Sequence, residues 1–275
     1  MRKHTASSLL IRLFLIVGAV IACFPIYMAV VNSFKTQGEM FASFISLPTT
    51  MHWENYSDAF VKINLLGSTL NSATISIIGI AGIILTASLA GYKLSRTRGR
   101  LSGAIFFLFV ASMLVPFHSI MIPLTRMAKA MHVQGTTYGL ALIYIGLGVN
   151  MAIFLYHGFV KSIPRELEES AQIDGCNEFQ TFFRIIFPLL LPITVTIAIL
   201  DFLWIWNDFL LPLLMLTDVN TYTLILSTNM LFGEYNKDWP LILSSLVLTA
   251  IPVVIIYGFF QKFIMEGIAE GAVKG

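Results

Sequence analysis

Apolar residues run almost unbroken through six stretches of the chain, 10–31, 71–94, 103–124, 138–160, 189–216 and 240–261. Each is long enough to carry a helix across a hydrocarbon layer of ~30 Å. The pattern predicts an all-α polytopic membrane protein with six transmembrane helices, forming a single domain over residues 1–275 without internal repeat or linker. Polar residues collect mainly in three places between the spans, 32–70, 161–188 and 217–239. The first of these holds Trp53 and Tyr56 among mixed charges, which suits either an amphipathic segment lying on the membrane surface or a contact for an extracytoplasmic partner.

The segment 161–188, between spans four and five, has its own helical grammar. Pro164 presets the backbone for a helix start, and Glu166, Glu168 and Glu169 load the N-terminal half, where the helix dipole favours negative charge. A short helix is predicted over 164–173, with Leu167, Ser170 and Ala171 as a modest apolar strip and the glutamates facing out. Gly175 permits the left-handed turn that ends it, and Asn177 with Gln180 forms a capping box for a second helix. Phe179, Phe182, Phe183 and Ile186 then recur at helical spacing, and Pro188 and Pro192 break or kink the chain as it enters the bilayer. The product is a helix-turn-helix elbow. On these grounds alone it is either a solvated connector or a docking surface kept slim by Ala171 and Gly175.

Composition agrees with a membrane location. With 57% hydrophobic and 12% charged residues, the chain has too little polar surface to cover a water-soluble globule. A net charge of +2 gives no reason to expect nucleic acid. Of the 17 Lys and Arg residues, only Lys35, Lys62, Arg126, Lys129 and Lys237 fall on the side opposite the termini, so both ends are expected in the cytoplasm. The two basic residues of the 126–137 loop run against this assignment. Val20-Ile21-Ala22-Cys23 has the look of a lipoprotein cleavage box, but the apolar run continues to Val31 and reads as a retained span. Cys23 and Cys176 have no metal-ligand spacing, and no metal, cofactor or disulfide is expected.

Span five carries Asp201, Trp204, Asn207 and Asp208 within what the pattern treats as one apolar helix. An acidic group deep in a bilayer costs about 2.5 to 3.5 kcal/mol on insertion scales, so these residues should face protein or water. Asp201, Trp204 and Asp208 share a face at i, i+3 and i+7, with Asn207 on its edge. An aromatic face beside amide and carboxylate groups suits a sugar; the alternative is that the same residues lock subunits together or that the tryptophans pack against a neighbour. Asn150 and His157 in span four and His118 in span three pose the same choice, and Pro116 and Pro123 are expected to kink span three.

The chain has no phosphate-binding Gly-x-x-x-x-Gly-Lys-Ser/Thr loop, serine elbow or HExxH, so it is expected to catalyse nothing itself. A self-sufficient secondary transporter would need coupling-ion groups and usually an internal repeat, and an embedded receptor or enzyme would need a ligand pocket or reactive cluster.

Glu169-Ser-Ala-Gln-Ile-Asp-Gly175, nine residues and then Ile185-Ile-Phe-Pro188 resembles the EAA signature of ABC importer permeases: Glu-Ala-Ala, three residues, Gly, nine residues, Ile-x-Leu-Pro. Ser170 replaces an alanine and Phe187 a leucine, with the spacing intact. The basic hairpin 92–100, Pro116, Ile122-Pro123-Leu124, Tyr138-Gly139-Leu140, Trp206-Asn207-Asp208 and the tail 271–275 extend the likeness to carbohydrate-uptake permeases, particularly the smaller membrane subunit of maltose-type importers. Ile268, Ala269 and Glu270 depart from that family's usual tail. The resemblance implies a half-channel paired with a second, related permease, two copies of a cytoplasmic ATPase and an extracytoplasmic sugar-binding protein. It also implies that Glu169, Ser170, Ala171, Asp174, Gly175, Ile185 and Pro188 form the ATPase-coupling site and that sugar contacts lie mostly in the partner permease, whereas the residues themselves make Asn150, Asp201, Trp204, Asn207 and Asp208 the candidates for the substrate path. Polyols and glycerol phosphates enter through similar permeases, so the cargo is left open between these and sugars.

Overall fold

A computed structural model of the chain describes residues 3–233 and 237–272, with side chains described over 11–233 and 237–258. The regular elements among the described residues are all helices, with no strand among them. In chain order the helices are α1 (Lys3–Ser33), α2 (Gln37–Ala42), α3 (Glu54–Lys62), α4 (Leu65–Arg96), α5 (Arg100–Ser112), α6 (Phe117–Ala130) and α7 (Thr137–Val160). There follow α8 (Glu166–Ile173), α9 (Glu178–Thr181), a π-helical turn (Phe182–Ile186), α10 (Phe187–Leu189), α11 (Leu191–Asn207), α12 (Leu210–Met215), α13 (Leu224–Met230) and α14 (Trp239–Ala272). The tail motif at 271–275 lies largely outside the described residues.

Four helical stretches are each long and apolar enough to cross a membrane: Ile11–Ser33, Leu65–Arg96, Thr137–Val160 and Trp239–Gly258. The other two expected spans are broken. Span three divides into α5 and α6, bent by 101° across Met113–Pro116; Pro116 is extended at the cap of α6, and Pro123 is carried inside that helix. Span five is preceded by a 74° bend at Leu190 and interrupted again at Asp208. The segment expected as a loop from Arg126 is helical as far as Ala130, because α6 starts one bend later than a straight span would.

The chain forms two compact units, one of residues up to Leu65 together with Ser227–Ile255, the other of Leu66–Leu226 with the residues from Ile256 on. In the first, α1 leaves its apolar side chains uncovered from Ile11 to Tyr27, as lipid-facing residues do; Phe14 is 78% exposed. The polar segment after α1 is folded onto its end. Asn55 donates to the carbonyls of Ser33 and Lys35, Phe34 stacks edge-on against Trp53 at 4.9 Å, and Ser244 of α14 donates to the Ser33 carbonyl. Lys35 is fully buried there, its ammonium donating to Asn32 Oδ1 at 3.0 Å and to the Ser43 carbonyl at 2.8 Å.

In the second unit α4, α7 and α11 meet through small residues. A Cβ on Gly91 would lie 2.7 Å from Tyr156 Cβ and 3.1 Å from the His157 backbone nitrogen, so only glycine lets α4 approach α7 this closely. Tyr156 donates to Thr194 Oγ1 at 2.9 Å, and that hydroxyl donates in turn to the Leu190 carbonyl, so the buried polar atoms tying α7 to α11 are satisfied. His157 stacks on Phe106 of α5 at 3.8 Å, a packing contact.

Candidate functional site

The elbow between α7 and α11 is built as its sequence grammar dictates. Helix α8 begins at Glu166, two residues later than expected, with Pro164 in the lead-in and Arg165 at the cap. It ends in a Schellman motif: the Cys176 amide donates to the Ala171 carbonyl at 2.9 Å and the Gly175 amide to the Gln172 carbonyl at 3.1 Å. Gly175 has φ +83, the left-handed conformation that the motif requires at this place. Asn177 and Gln180 form the capping box reciprocally, at 2.8 and 2.9 Å. The widened turn Phe182–Ile186 was not legible in the spacing of apolar residues. It precedes Pro188, whose ring cannot tolerate the carbonyl four residues back in an ordinary α-helix and which has no N–H to donate to it.

The expectation that every glutamate of α8 faces out is corrected. Glu168 lies three residues before Ala171, which is 3% exposed, so both occupy the inward face. A carboxylate on that face needs partners. It finds Arg96 of α4, whose Nε donates to Oε1 at 2.6 Å, and Tyr92, whose hydroxyl donates to Oε2 at 2.9 Å. Arg96 also donates to the Ile163 carbonyl at 2.8 Å, and the Tyr92 ring rests 5.2 Å from that of buried Phe182. The exposed pair Lys93–Glu178, at 2.9 Å, adds a weaker tie on the rim. Together these hold the elbow to the end of α4.

The named coupling residues therefore divide. Glu169, Ser170, Asp174, Gly175 and Pro188 are exposed, Ile185 is half-buried, and Ala171 is buried against the fold rather than offered to a partner. The predicted apolar strip divides in the same way, since Leu167 is largely exposed while Ala171 is not. What the elbow presents outward instead is Ile173, 86% exposed, and Phe179, 70% exposed, on either side of Gly175.

The second candidate site is a cavity of about 630 Å³ in the same unit, walled by the α5–α6 break, α7 and the α11–α12 break. Asn150, Trp204 and Asp208 line it, joined by His118. Asp201 and Asn207 do not. Asp201 is buried in α11 with Oδ2 lacking a partner among the described residues, and Asn207 is exposed, bonded to its own Leu203 carbonyl. The i, i+7 argument fails because α11 stops at Asn207. Asp208 is extended, and its Oδ1 accepts the Leu210 amide at 3.0 Å, the aspartate-capped turn that starts α12. Tyr144, which was not anticipated, fixes the group: its hydroxyl donates to Asp208 Oδ2 at 2.8 Å and its ring meets Trp204 edge-on at 5.3 Å. A phenol in the interior of an apolar span was the available signal, since a buried hydroxyl requires a partner.

Residues 80–269 match the sequence family described as binding-protein-dependent transport system inner membrane component. The chain is 39% identical over 274 residues to the probable starch degradation products transport system permease protein AmyC of Thermoanaerobacterium thermosulfurigenes, covering 100% of both chains. It is 33% identical to the melibiose/raffinose/stachyose import permease protein MelC of Bacillus subtilis (strain 168), covering 96% of this chain and 97% of that one. Its fold is like that of a chain in the crystal structure of a bacterial ABC transporter that imports the acidic polysaccharide alginate, with a TM-score of 0.82, 19% identity and coverage of 95% and 98%. Matched over most of its length by the family and along its whole length by a relative, the chain belongs to the inner membrane components of binding-protein-dependent transport systems.

Proposed function

We propose that the chain is a permease subunit of an ATP-driven sugar importer, supplying half of the translocation path. The sugar class is carried over from the relatives, whose names specify starch degradation products and melibiose, raffinose and stachyose. Each bent helix pair counts as one span, giving six crossings with both termini in the cytoplasm, and residues 1–275 act as one permease domain. The partners are a second, related permease, two copies of a cytoplasmic ATPase and an extracytoplasmic sugar-binding protein.

In this reading 161–188 is the coupling segment. Glu169, Ser170, Asp174 and Gly175 meet the ATPase together with Ile173 and Phe179, while Ala171, Ile185 and Pro188 shape the elbow behind them. ATP-driven movement of the seated elbow rocks the helices between inward-facing and outward-facing states. The observation that carries the reading is the pairing of an exposed apolar tip with a buried anchor, Arg96–Glu168–Tyr92, since a lever has to be rigid where force leaves it. Asn150, Trp204 and Asp208 contribute to the sugar path; Asp201 and Asn207 stand outside that cavity and serve packing or subunit contact.

The test is purification of the chain from detergent-solubilised membranes of cells expressing the whole importer. A stoichiometric ATPase that is lost from the Ile173→Glu/Phe179→Glu variant is expected. Proton-driven sugar transport by this chain alone would overturn the reading.

A further inference from the structure

The cavity at the α11–α12 break has a one-sided charge. Asp208 is its acidic residue, and no lysine or arginine occurs among the described residues that line it. The other titratable side chain of the wall is His118, and Asn150, Ser112, Trp204 and Phe117 add polar and aromatic groups to it. Asp208 is held rigidly, one oxygen taking the Tyr144 hydroxyl and the other the Leu210 amide, and each oxygen keeps a second lone pair. Trp204 is 40% exposed, lines the cavity and meets the Tyr144 ring at right angles, so part of its indole surface is open to a ligand. Asn150 spends its amide only on a long 3.4 Å contact with its own Leu147 carbonyl.

From this arrangement we infer that Asp208 sets the charge selectivity of the path: the cavity takes neutral, polyhydroxylated saccharides and rejects anionic ones such as uronates and sugar or glycerol phosphates. Hydroxyls donate to the fixed carboxylate while the apolar face of the pyranose lies on Trp204. An anionic ligand meets the same carboxylate with no lysine or arginine among the described residues of this wall to offset it. Two like charges about 8 Å apart at an effective dielectric of about 20 disfavour each other by about thirty-fold. The inference rests on the proposed role of this cavity in the sugar path.

The experiment measures binding to the complete importer purified in detergent without its sugar-binding protein, so that only the membrane path is read. Equilibrium dialysis at pH 8 compares a neutral oligosaccharide with the same oligosaccharide carrying one uronate carboxylate. The readout is the ratio of the two affinities. Asp208→Asn is expected to shift this ratio about thirty-fold toward the anionic ligand. Asn150→Asp, which adds a carboxylate and leaves Asp208 and its Tyr144 contact in place, is expected to shift it in the opposite direction by a similar factor. A ratio unmoved by both variants would overturn the role of Asp208 while leaving the sugar path standing. Affinities for both ligands insensitive to Trp204→Ala would overturn the sugar path at this cavity, and the inference with it.

Discussion

The guanidinium Nε of Arg96 lies 2.6 Å from Oε1 of Glu168, and the two side chains are only 12% and 13% exposed. Removing one partner of such a pair leaves a charge buried without compensation, at about 3 kcal/mol or more. Glu168→Gln and Arg96→Gln are therefore expected to raise the open population of the elbow by about 100-fold. Proteolytic cleavage within 165–178 in detergent is the measurement. The exchange Arg96→Glu with Glu168→Arg should recover part of both protease resistance and uptake, which two independently structural residues would not do.

Gly175 makes a different demand, because its φ is +83 and a Cβ placed there would meet nothing within 4 Å. The restriction is on backbone conformation and not on space. A β-branched residue is strained there by about 1–2 kcal/mol or more, whereas asparagine tolerates the left-handed region. Gly175→Val is expected to insert normally yet abolish uptake, and Gly175→Asn to retain at least half of it. Membrane abundance by immunoblot and labelled-sugar uptake check both; wild-type uptake by the valine variant would count heavily against the docking role.

At Gly91 the restriction is spatial. A methyl group would press on Tyr156 Cβ at 2.7 Å and on the His157 backbone, and backbone cannot swing aside. Gly91→Ala is expected to cost about 1–3 kcal/mol by forcing α4 from α7. Thermal inactivation of the purified complex should show a lower midpoint, while Gly103→Ala, where a Cβ inside α5 meets nothing, should leave it unmoved or slightly raised.

Trp204 and Tyr144 meet edge to face at 5.3 Å, and the Tyr144 hydroxyl orients Asp208. Tyr144→Phe keeps the ring contact and removes the hydrogen bond. Affinity for a neutral sugar in the isolated complex is expected to fall by about five-fold to ten-fold, the size of one such bond. An unchanged affinity would mean that Asp208 does not depend on Tyr144 for its position.

The sequence carried the elbow further than it carried the spans. Capping and turn chemistry are local, so Gly175, Asn177 and Gln180 announced their roles in a window of a few residues. The orientation of Glu168 depended on an arginine 72 positions away, which no local pattern contains. Hydropathy recognised apolar segments but not their breaks: Pro116 was visible, yet the 101° turn that it caps needs the four residues Met113–Pro116 to leave the helix together. Asp208 was found for its charge and misplaced by assuming that α11 continued through it, when its extended backbone ends α11 and its side chain accepts the Leu210 amide at the start of α12.

The proposed coupling is tested most directly by placing a photo-activatable cross-linking residue at position 173, the exposed tip of the elbow, in membranes that contain the assembled importer. A covalent adduct with the ATPase subunit, weakened or strengthened by nucleotide, is the expected result. Absence of any such adduct, with position 173 instead labelled from outside intact cells, would contradict it.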